Sequence, residues 1–280
     1  MKKKDKLYQS ESDWLRTGVF QVGHKSVRGN QIRYALAGVN DCAEADLLVT
    51  MVGGIPRDPN RRDVLPLINK LYGLLAVRFA GCRVSSLLYN QPATGGSSGN
   101  WDDETILSRS LTLAELMLTV GEEINVRRHV VIGTSAGAYM AVRALGEVIQ
   151  GGHSVTSLVL QSPAVYPEEL EIVPYGDRFT SLLRSGWDIT TSPIFDRLNL
   201  FIDGGGRLRI TFFEVDDPPI PKEIQKYFKR YVQGKSLDGV SFQYATINGV
   251  AHNFRSITKK PSDSAVDNDS IRLTASETMG

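Results

Sequence analysis

The chain has little of what commonly announces a chemistry. Cys42 and Cys82 are two cysteines among 280 residues, too few and too far apart for a disulfide framework or a metal-ligand set, so idle or buried thiols are expected. No apolar stretch reaches the ~18 residues that a membrane span needs, and a soluble protein is expected. Acidic and basic residues balance to a formal net charge of +1, which gives no electrostatic case for nucleic acid. The basic start Met1-Lys2-Lys3-Lys4-Asp5-Lys6 is followed by no apolar run from Leu7 to Asp13, so it reads as a solvated tail on a cytoplasmic protein rather than a targeting segment. Gly95-Gly96 lacks the Gly-Lys-Ser/Thr ending that places a lysine on phosphates. The expectation is therefore no cofactor and no metal.

What is present is ordinary globular composition, 41% apolar and 22% charged. The expected organisation is an N-terminal tail over residues 1–16, one domain over 17–258 and a polar C-terminal tail over 259–280. Val19-Phe20-Gln21-Val22 and Ile32-Arg33-Tyr34-Ala35-Leu36 flank Arg28-Gly29-Asn30 and predict a hairpin. Leu47 to Val52 predicts a strand buried on both faces, ending in Gly53-Gly54, whose backbone amides are free. Apolar residues from Val64 to Phe79 recur at helical spacing. A strand at Arg83–Tyr89 leads into the Gly/Ser-rich stretch from Asn90 to Trp101, expected to be an ordered loop near the site. An amphipathic helix is predicted over 103–124, with Ile106, Leu113, Leu116, Met117, Val120 and Ile124 on one face.

The chain is organised around Val130-Val131-Ile132-Gly133-Thr134-Ser135-Ala136-Gly137-Ala138. A β-branched run breaks into Gly-x-Ser-x-Gly and then into a helical pattern that Gly151-Gly152 ends. A serine at the apex of such a turn has its hydroxyl lifted clear of the sheet. The Ala136 amide behind it points the same way, ready to stabilise an oxyanion. A side chain at Gly133 or Gly137 would collide where strand and helix crowd together.

Further strands are predicted at Val155–Leu160, Leu208–Val215 and Val240–Ile247, with a helix over Pro221–Val232 and a small cap-like insertion over 164–200. Strands alternating with helices imply a mostly parallel sheet whose strand ends on one edge bear the functional loops. Ser135, Asp217 and His252 each follow a predicted strand. A serine hydroxyl needs an imidazole to take its proton, and the imidazole needs a carboxylate to fix its tautomer, so the three suit nucleophile, acid and base. His24, His129 and His153 have poorer positions: the first lies by the hairpin, the second precedes its strand and the third follows a helix. Tyr89, Trp101, Tyr166 and Trp187 fall on loops where they line a pocket or pack against their own loops.

With these residues in view, the chain resembles the α/β-hydrolase superfamily from about Val19 to Phe254. Gly133-Thr134-Ser135-Ala136-Gly137 is similar to the family's nucleophile elbow, Asp217-Pro218-Pro219-Ile220-Pro221 to its acid turn and Gly249 to Phe254 to its histidine loop. Motif register favours Asp217 as the acid, with Asp216 the alternative. Family members often carry His-Gly after the third strand, whereas Val52-Gly53 stands here, which leaves the loop's oxyanion donor between the amides of Gly54 and Ile55.

The resemblance implies an α/β fold with helices flanking a mostly parallel sheet and an antiparallel hairpin at its N-terminal edge. It also implies a serine hydrolase that cleaves a small carboxylic ester, thioester or amide through an acyl-enzyme on Ser135. His252 would serve as base, with the Gly54 and Ala136 amides on the oxyanion. The partner expected is a small-molecule acyl substrate; substrate identity and oligomeric state are not readable. Acyl transfer on the same residues, and a low-turnover ligand-binding protein that keeps the fold, are the competing readings.

Overall fold

The hairpin predicted at the chain's start is present and longer than its apolar cores suggest. Strands β1 (Phe20–Val27) and β2 (Asn30–Ala37) pair antiparallel from Phe20↔Ala37 to Val27↔Asn30. Arg28 and Gly29 between them both take positive φ, 49° and 78°, the two-residue turn whose twist matches the flanking strands. The fold is that of a computed structural model, which describes residues 18–38, 47–55, 70–215, 220–234 and 242–251. The tails, the acidic loop with Cys42, residues 61–69 of the predicted first helix, Asp216, Asp217 and His252 lie outside the described residues.

The remaining strands are β3 (Leu47–Val52), β4 (Ser85–Tyr89), β5 (Arg128–Thr134), β6 (Ser154–Gln161), β7 (Arg207–Val215) and β8 (Phe242–Ala251). They form one eight-stranded sheet in the order β1-β2-β4-β3-β5-β6-β7-β8. β2 is antiparallel to β1 and β4, and every pair from β4 to β8 is parallel. Helices alternate with these strands: α1 (Lys70–Gly81), α2 (Ile106–Glu123), α3 (Ala136–Gln150), α4 (Asp177–Arg184), α5 (Ile194–Asp203) and α6 (Lys222–Gly234). The expected α/β class, with a mostly parallel sheet and an antiparallel hairpin at one edge, is the observed architecture.

The pleat divides each strand between two cores. Val130 and Ile132 join Ala35, Val49, Met51 and Leu88 against Tyr72, Leu75, Ala76 and Phe79 of α1. Val131, between them, faces the other side with Leu36, Leu48, Leu158 and Ile210, against α2, α3, α5 and Phe228 of α6. From His129 to Thr134 every β5 residue is buried, as a near-continuous apolar run covered on both faces requires. This places the end of β5 in the middle of the sheet, at the edge where the parallel strands finish.

Between β6 and β7 the chain forms 3-10 turns at Glu168–Ile172 and Ile189–Thr191 around α4, and then α5. α5 packs on α3 and is a covering helix of the sheet. Glu171 fastens the first 3-10 turn to both: it accepts from the Tyr139 hydroxyl at 2.7 Å and from Arg197, and lies 3.4 Å from Nε of Arg143. Burial alone would raise its carboxyl, but the Arg197 and Tyr139 hydrogen bonds outweigh burial and hold it below its ordinary value.

The last strand departs from the prediction. The predicted strand stops at Ile247, yet β8 continues to Ala251. Pairing passes from Phe213↔Ile247 to Val215↔Ala251, so β8 carries the extra residues of a bulge, where a glycine is at home. His252 therefore follows the end of β8 directly.

Candidate active site

At the end of β5 the backbone turns abruptly into α3, and Ser135 occupies the apex with φ 56° and ψ −126°. That conformation lies outside the wells open to L-residues and costs on the order of 1–3 kcal/mol. Three backbone hydrogen bonds hold it. The Ser135 amide donates to Gln161 O at 3.0 Å, and Ser135 O accepts from the amides of Ala138 and Ala164, each at 3.1 Å. Ser135 is also the N-cap of α3, yet its side chain makes no capping hydrogen bond, although serine is among the residues that normally do so. The hydroxyl of this half-buried residue is thus left for other work. The Ala136 amide opens the helix behind it, where the dipole favours negative charge.

The elbow glycines have steric explanations. A Cβ on Gly133 would lie 2.6 Å from the Cα of Ala138, and one on Gly137 would overlap the carbonyl oxygens of Val52 and Gly53. The second contact shows that the loop after β3 passes directly over the first turn of α3. Gly54 is the residue there that meets the serine: a Cβ built on it would stand 3.3 Å from Ser135 Cβ and 3.6 Å from Ser135 Oγ. Of the two amides left open by sequence, that of Gly54 belongs to the residue packed on the serine.

Polar side chains support the elbow from beneath. The Thr134 hydroxyl is hydrogen-bonded to the Tyr72 hydroxyl and stands 3.1 Å from Gln161 Oε1, and the Tyr72 hydroxyl stands 3.1 Å from Val52 O, so the two hydroxyl protons serve two of these three contacts. β3, β5, β6 and α1 are thereby joined at one point below the serine. Burial raises the Tyr72 phenol far above its ordinary value, against the opposing effect of its bond to Thr134, so it is neutral at any working pH.

The Gly/Ser-rich stretch after β4 is an ordered loop beside this site. The Ser97 and Ser98 hydroxyls accept from the amides of Arg33 and Gln31 at 2.9 and 2.7 Å, and the Ser98 amide donates to Gln31 O at 2.9 Å. These bonds continue the pairing of β2 beyond the end of β4. Gln91, near the loop's start, donates from Nε2 to Gly53 O at 2.7 Å. Its Oε1 accepts from Nη1 of Arg109, whose Nη2 donates to Pro92 O at 3.0 Å. The Arg109 side chain is entirely enclosed. Its guanidinium lies over the rings of Trp101 and Tyr175, 4.8 and 4.7 Å from their centroids. Nε stands 3.7 Å from a Glu104 oxygen. Burial lowers the guanidinium's pKa and raises the Glu104 carboxyl, and each charge offsets part of the other's desolvation.

Asp216, Asp217 and His252 are outside the described residues. Their neighbours in the chain are not: β7 ends at Val215 and β8 at Ala251, adjacent strands finishing at the same sheet edge as Thr134. Of the other histidines, His129 and His153 form a buried pair with Nε2 and Nδ1 2.9 Å apart at the starts of β5 and β6, the opposite edge of the sheet. Tyr89 and Tyr166 are buried, the latter against Tyr139 and Phe179, and Trp101 covers Arg109. Among the described residues no group of three His, Cys, Asp or Glu side chains is arranged to hold a metal ion, and no helix is long and apolar enough to cross a membrane.

Sequence reasoning passed over Gln91, Arg109, Tyr72 and Gln161. Arg109 had a signal: it falls between Ile106 and Leu113 on the apolar stripe of α2, and a cation within such a stripe must find partners. The others are ordinary polar residues whose roles arise only from packing.

The sequence matches no protein-family model and no curated protein. The fold does match solved structures. A candidate hydrolase from Agrobacterium vitis S4 is similar with a TM-score of 0.59 at 18% identity, over 93% of this chain and 99% of that one. Est1E from Butyrivibrio proteoclasticus, seen with ferulic acid bound, is similar at a TM-score of 0.58 and 13% identity, over 92% and 99% of the two chains. An α/β serine hydrolase without a lid from Xanthomonas campestris gives 0.56 at 11% identity, over 84% and 86%.

Proposed function

The chain has the α/β-hydrolase fold, and on that premise we propose that it is a serine hydrolase acting on a small carboxylic ester, thioester or amide, with Ser135 as nucleophile. The observation that carries this reading is the strained Ser135 backbone, φ 56° and ψ −126°, at the junction of a central strand and a helix. A serine that merely capped the helix would gain its hydrogen bond in an unstrained conformation. Strain that persists at a half-buried apex is expected where it serves a reacting group. The Gly54 packing adds support, because it brings the residue whose amide would serve as the second oxyanion donor against Ser135.

In this reading His252 takes the proton from Ser135 Oγ as the oxygen attacks the acyl carbon, and Asp217 fixes the imidazole and stabilises its charged form. The tetrahedral oxyanion accepts hydrogen bonds from the Ala136 and Gly54 amides. His252 returns the proton to the leaving alcohol, thiol or amine, then activates water to cleave the acyl-enzyme. The ends of β7 and β8, on the serine's side of the sheet, are where such an acid and base would be delivered. A solved neighbour with ferulic acid bound and two others named as an esterase and a thioesterase are consistent with acyl chemistry at this position.

Turnover of a panel of p-nitrophenyl esters tests it. Ser135→Ala should lower kcat by roughly 10⁴-fold or more, and Asp217→Asn by a factor approaching that, with Asp216→Asn much milder. Unchanged ester hydrolysis in Ser135→Ala would refute the nucleophile, and a larger loss at Asp216→Asn would transfer the acid's role to that residue.

A further inference from the structure

We propose that the buried pair Arg109–Gln91 is a positioning device for the oxyanion hole: it fixes and polarises the Gly53–Gly54 peptide so that the Gly54 amide is held as a donor beside Ser135. The inference rests on the reading of Ser135 and Gly54 given above and adds residues that neither motif nor register points to.

The direction of the hydrogen-bond chain is forced by chemistry. A guanidinium has only donors, so the Gln91 atom facing Arg109 must be the carbonyl oxygen, and the atom facing Gly53 O must then be the amide nitrogen. The chain therefore runs one way, from the Arg109 cation through the Gln91 amide to the Gly53 carbonyl. In a trans peptide the C=O and the following N–H point in opposite directions. Anchoring Gly53 O on Gln91 consequently turns the Gly54 N–H to the far side, and Gly54 is the residue packed on Ser135. Drawing electron density toward a bonded carbonyl also makes the N–H of the same peptide a stronger donor, and a cation at the head of the chain increases that effect.

The far end is built to stay in place. Trp101 and Tyr175 cover the guanidinium, Pro92 O takes Nη2 and Glu104 stands by Nε. Glu104 is fixed in turn by the Ser108 hydroxyl at 2.8 Å, and Ser108 belongs to the capping box that starts α2 with Thr105. Enclosing a cation this completely is unfavourable unless it is partnered; a merely structural helix would place an aliphatic residue at that point of the stripe. Gly53 has no side chain of its own to pack, and among the described residues its peptide is held by the Gln91 bond and by its packing over Gly137. The pair supplies from outside what the Val52-Gly53-Gly54 sequence does not.

Gln91→Glu separates this role from general packing. The carboxylate keeps the size of the side chain and strengthens the contact with Arg109, but it has no donor for Gly53 O. The expected result is a kcat lowered by about tenfold on p-nitrophenyl acetate with KM within about twofold, a part of the loss that deleting an oxyanion donor outright produces. The amide signal of Gly54 in a ¹⁵N-labelled sample should shift upfield in its proton dimension and exchange faster with solvent, while thermal unfolding stays close to wild type. Gln91→Met, isosteric and without polar atoms, should behave the same way, and serves if the glutamate variant fails to fold. An unchanged kcat and an unchanged Gly54 amide in either variant would overturn the proposal. Were the wild type itself inert toward esters, the reading of Ser135 would fall first, and the Gly54 amide signal alone would still decide whether Gln91 holds that peptide.

Discussion

At the scale of single residues the site is a set of conflicts resolved in favour of one serine. Ser135 sits where glycine would be easier, and Gly137 and Gly133 sit where any Cβ would overlap backbone. The strain implies a trade between stability and activity. Ser135→Gly removes the Cβ that makes φ 56° costly; relief of about 1–3 kcal/mol, less the roughly 0.5–1 kcal/mol that glycine adds to the unfolded chain's entropy, should leave a net gain near 1 kcal/mol. The variant should thus unfold at a temperature about 2–4 °C higher than wild type while losing hydrolysis. A lower unfolding temperature would show that the surrounding hydrogen bonds, not tolerance of strain, determine the energy of the turn. Ser135 was legible in sequence because its glycines and flanking strand are local features. Gln91 was not, since nothing local distinguishes a glutamine that meets Gly53 O from one facing water.

At the scale of elements, the periodicities carried most of the fold. Continuous apolar runs gave the central strands and the apolar stripe gave α2, because both patterns follow from which faces of an element meet the core. β8 ends at Ala251 rather than Ile247 because its last residues continue past a register shift set by pairing with β7, which the strand's own residues do not show. The starts of β5 and β6 hold a further consequence. His129 is wholly buried and has its pKa lowered to about 4, chiefly by burial and then by His153. His153 is also lowered by burial, with Glu122 opposing and Arg127 assisting. The folded state thus takes up protons less readily than the unfolded one. Stability from this pair is complete above pH ~6.5 and is lost as pH falls toward 4. For His129 alone the loss at pH 5 is about 2 kcal/mol, from the difference between a folded pKa near 4 and an unfolded one near 6.5. Urea unfolding at pH 7.5 and 5 should show it, and His129→Gln should remove most of that difference even if less stable at pH 7.5. Equal acid sensitivity in both proteins would contradict the assignment.

At the scale of the whole molecule, the sheet brings distant parts of the sequence to one edge: the elbow after β5, the Gly53-Gly54 loop after β3 and the Gly/Ser-rich loop after β4. The order Ser, Asp, His along the chain, each after a strand of one parallel sheet, makes a convergent site an expectation of the sequence, and the acid and base of that expectation lie outside the described residues. What sequence could not give was the support: Arg109 arrives from a helix and Tyr72 from another, on opposite faces, and their meeting with the loops is a product of packing. The account stands on Ser135 being an activated nucleophile rather than a turn residue. Incubation of the folded protein with a fluorophosphonate, followed by mass spectrometry of its peptides, tests this most directly. The account predicts one covalent phosphonyl adduct, on Ser135, absent from heat-unfolded protein and from Ser135→Ala; an unmodified Ser135 in the folded wild type would contradict it.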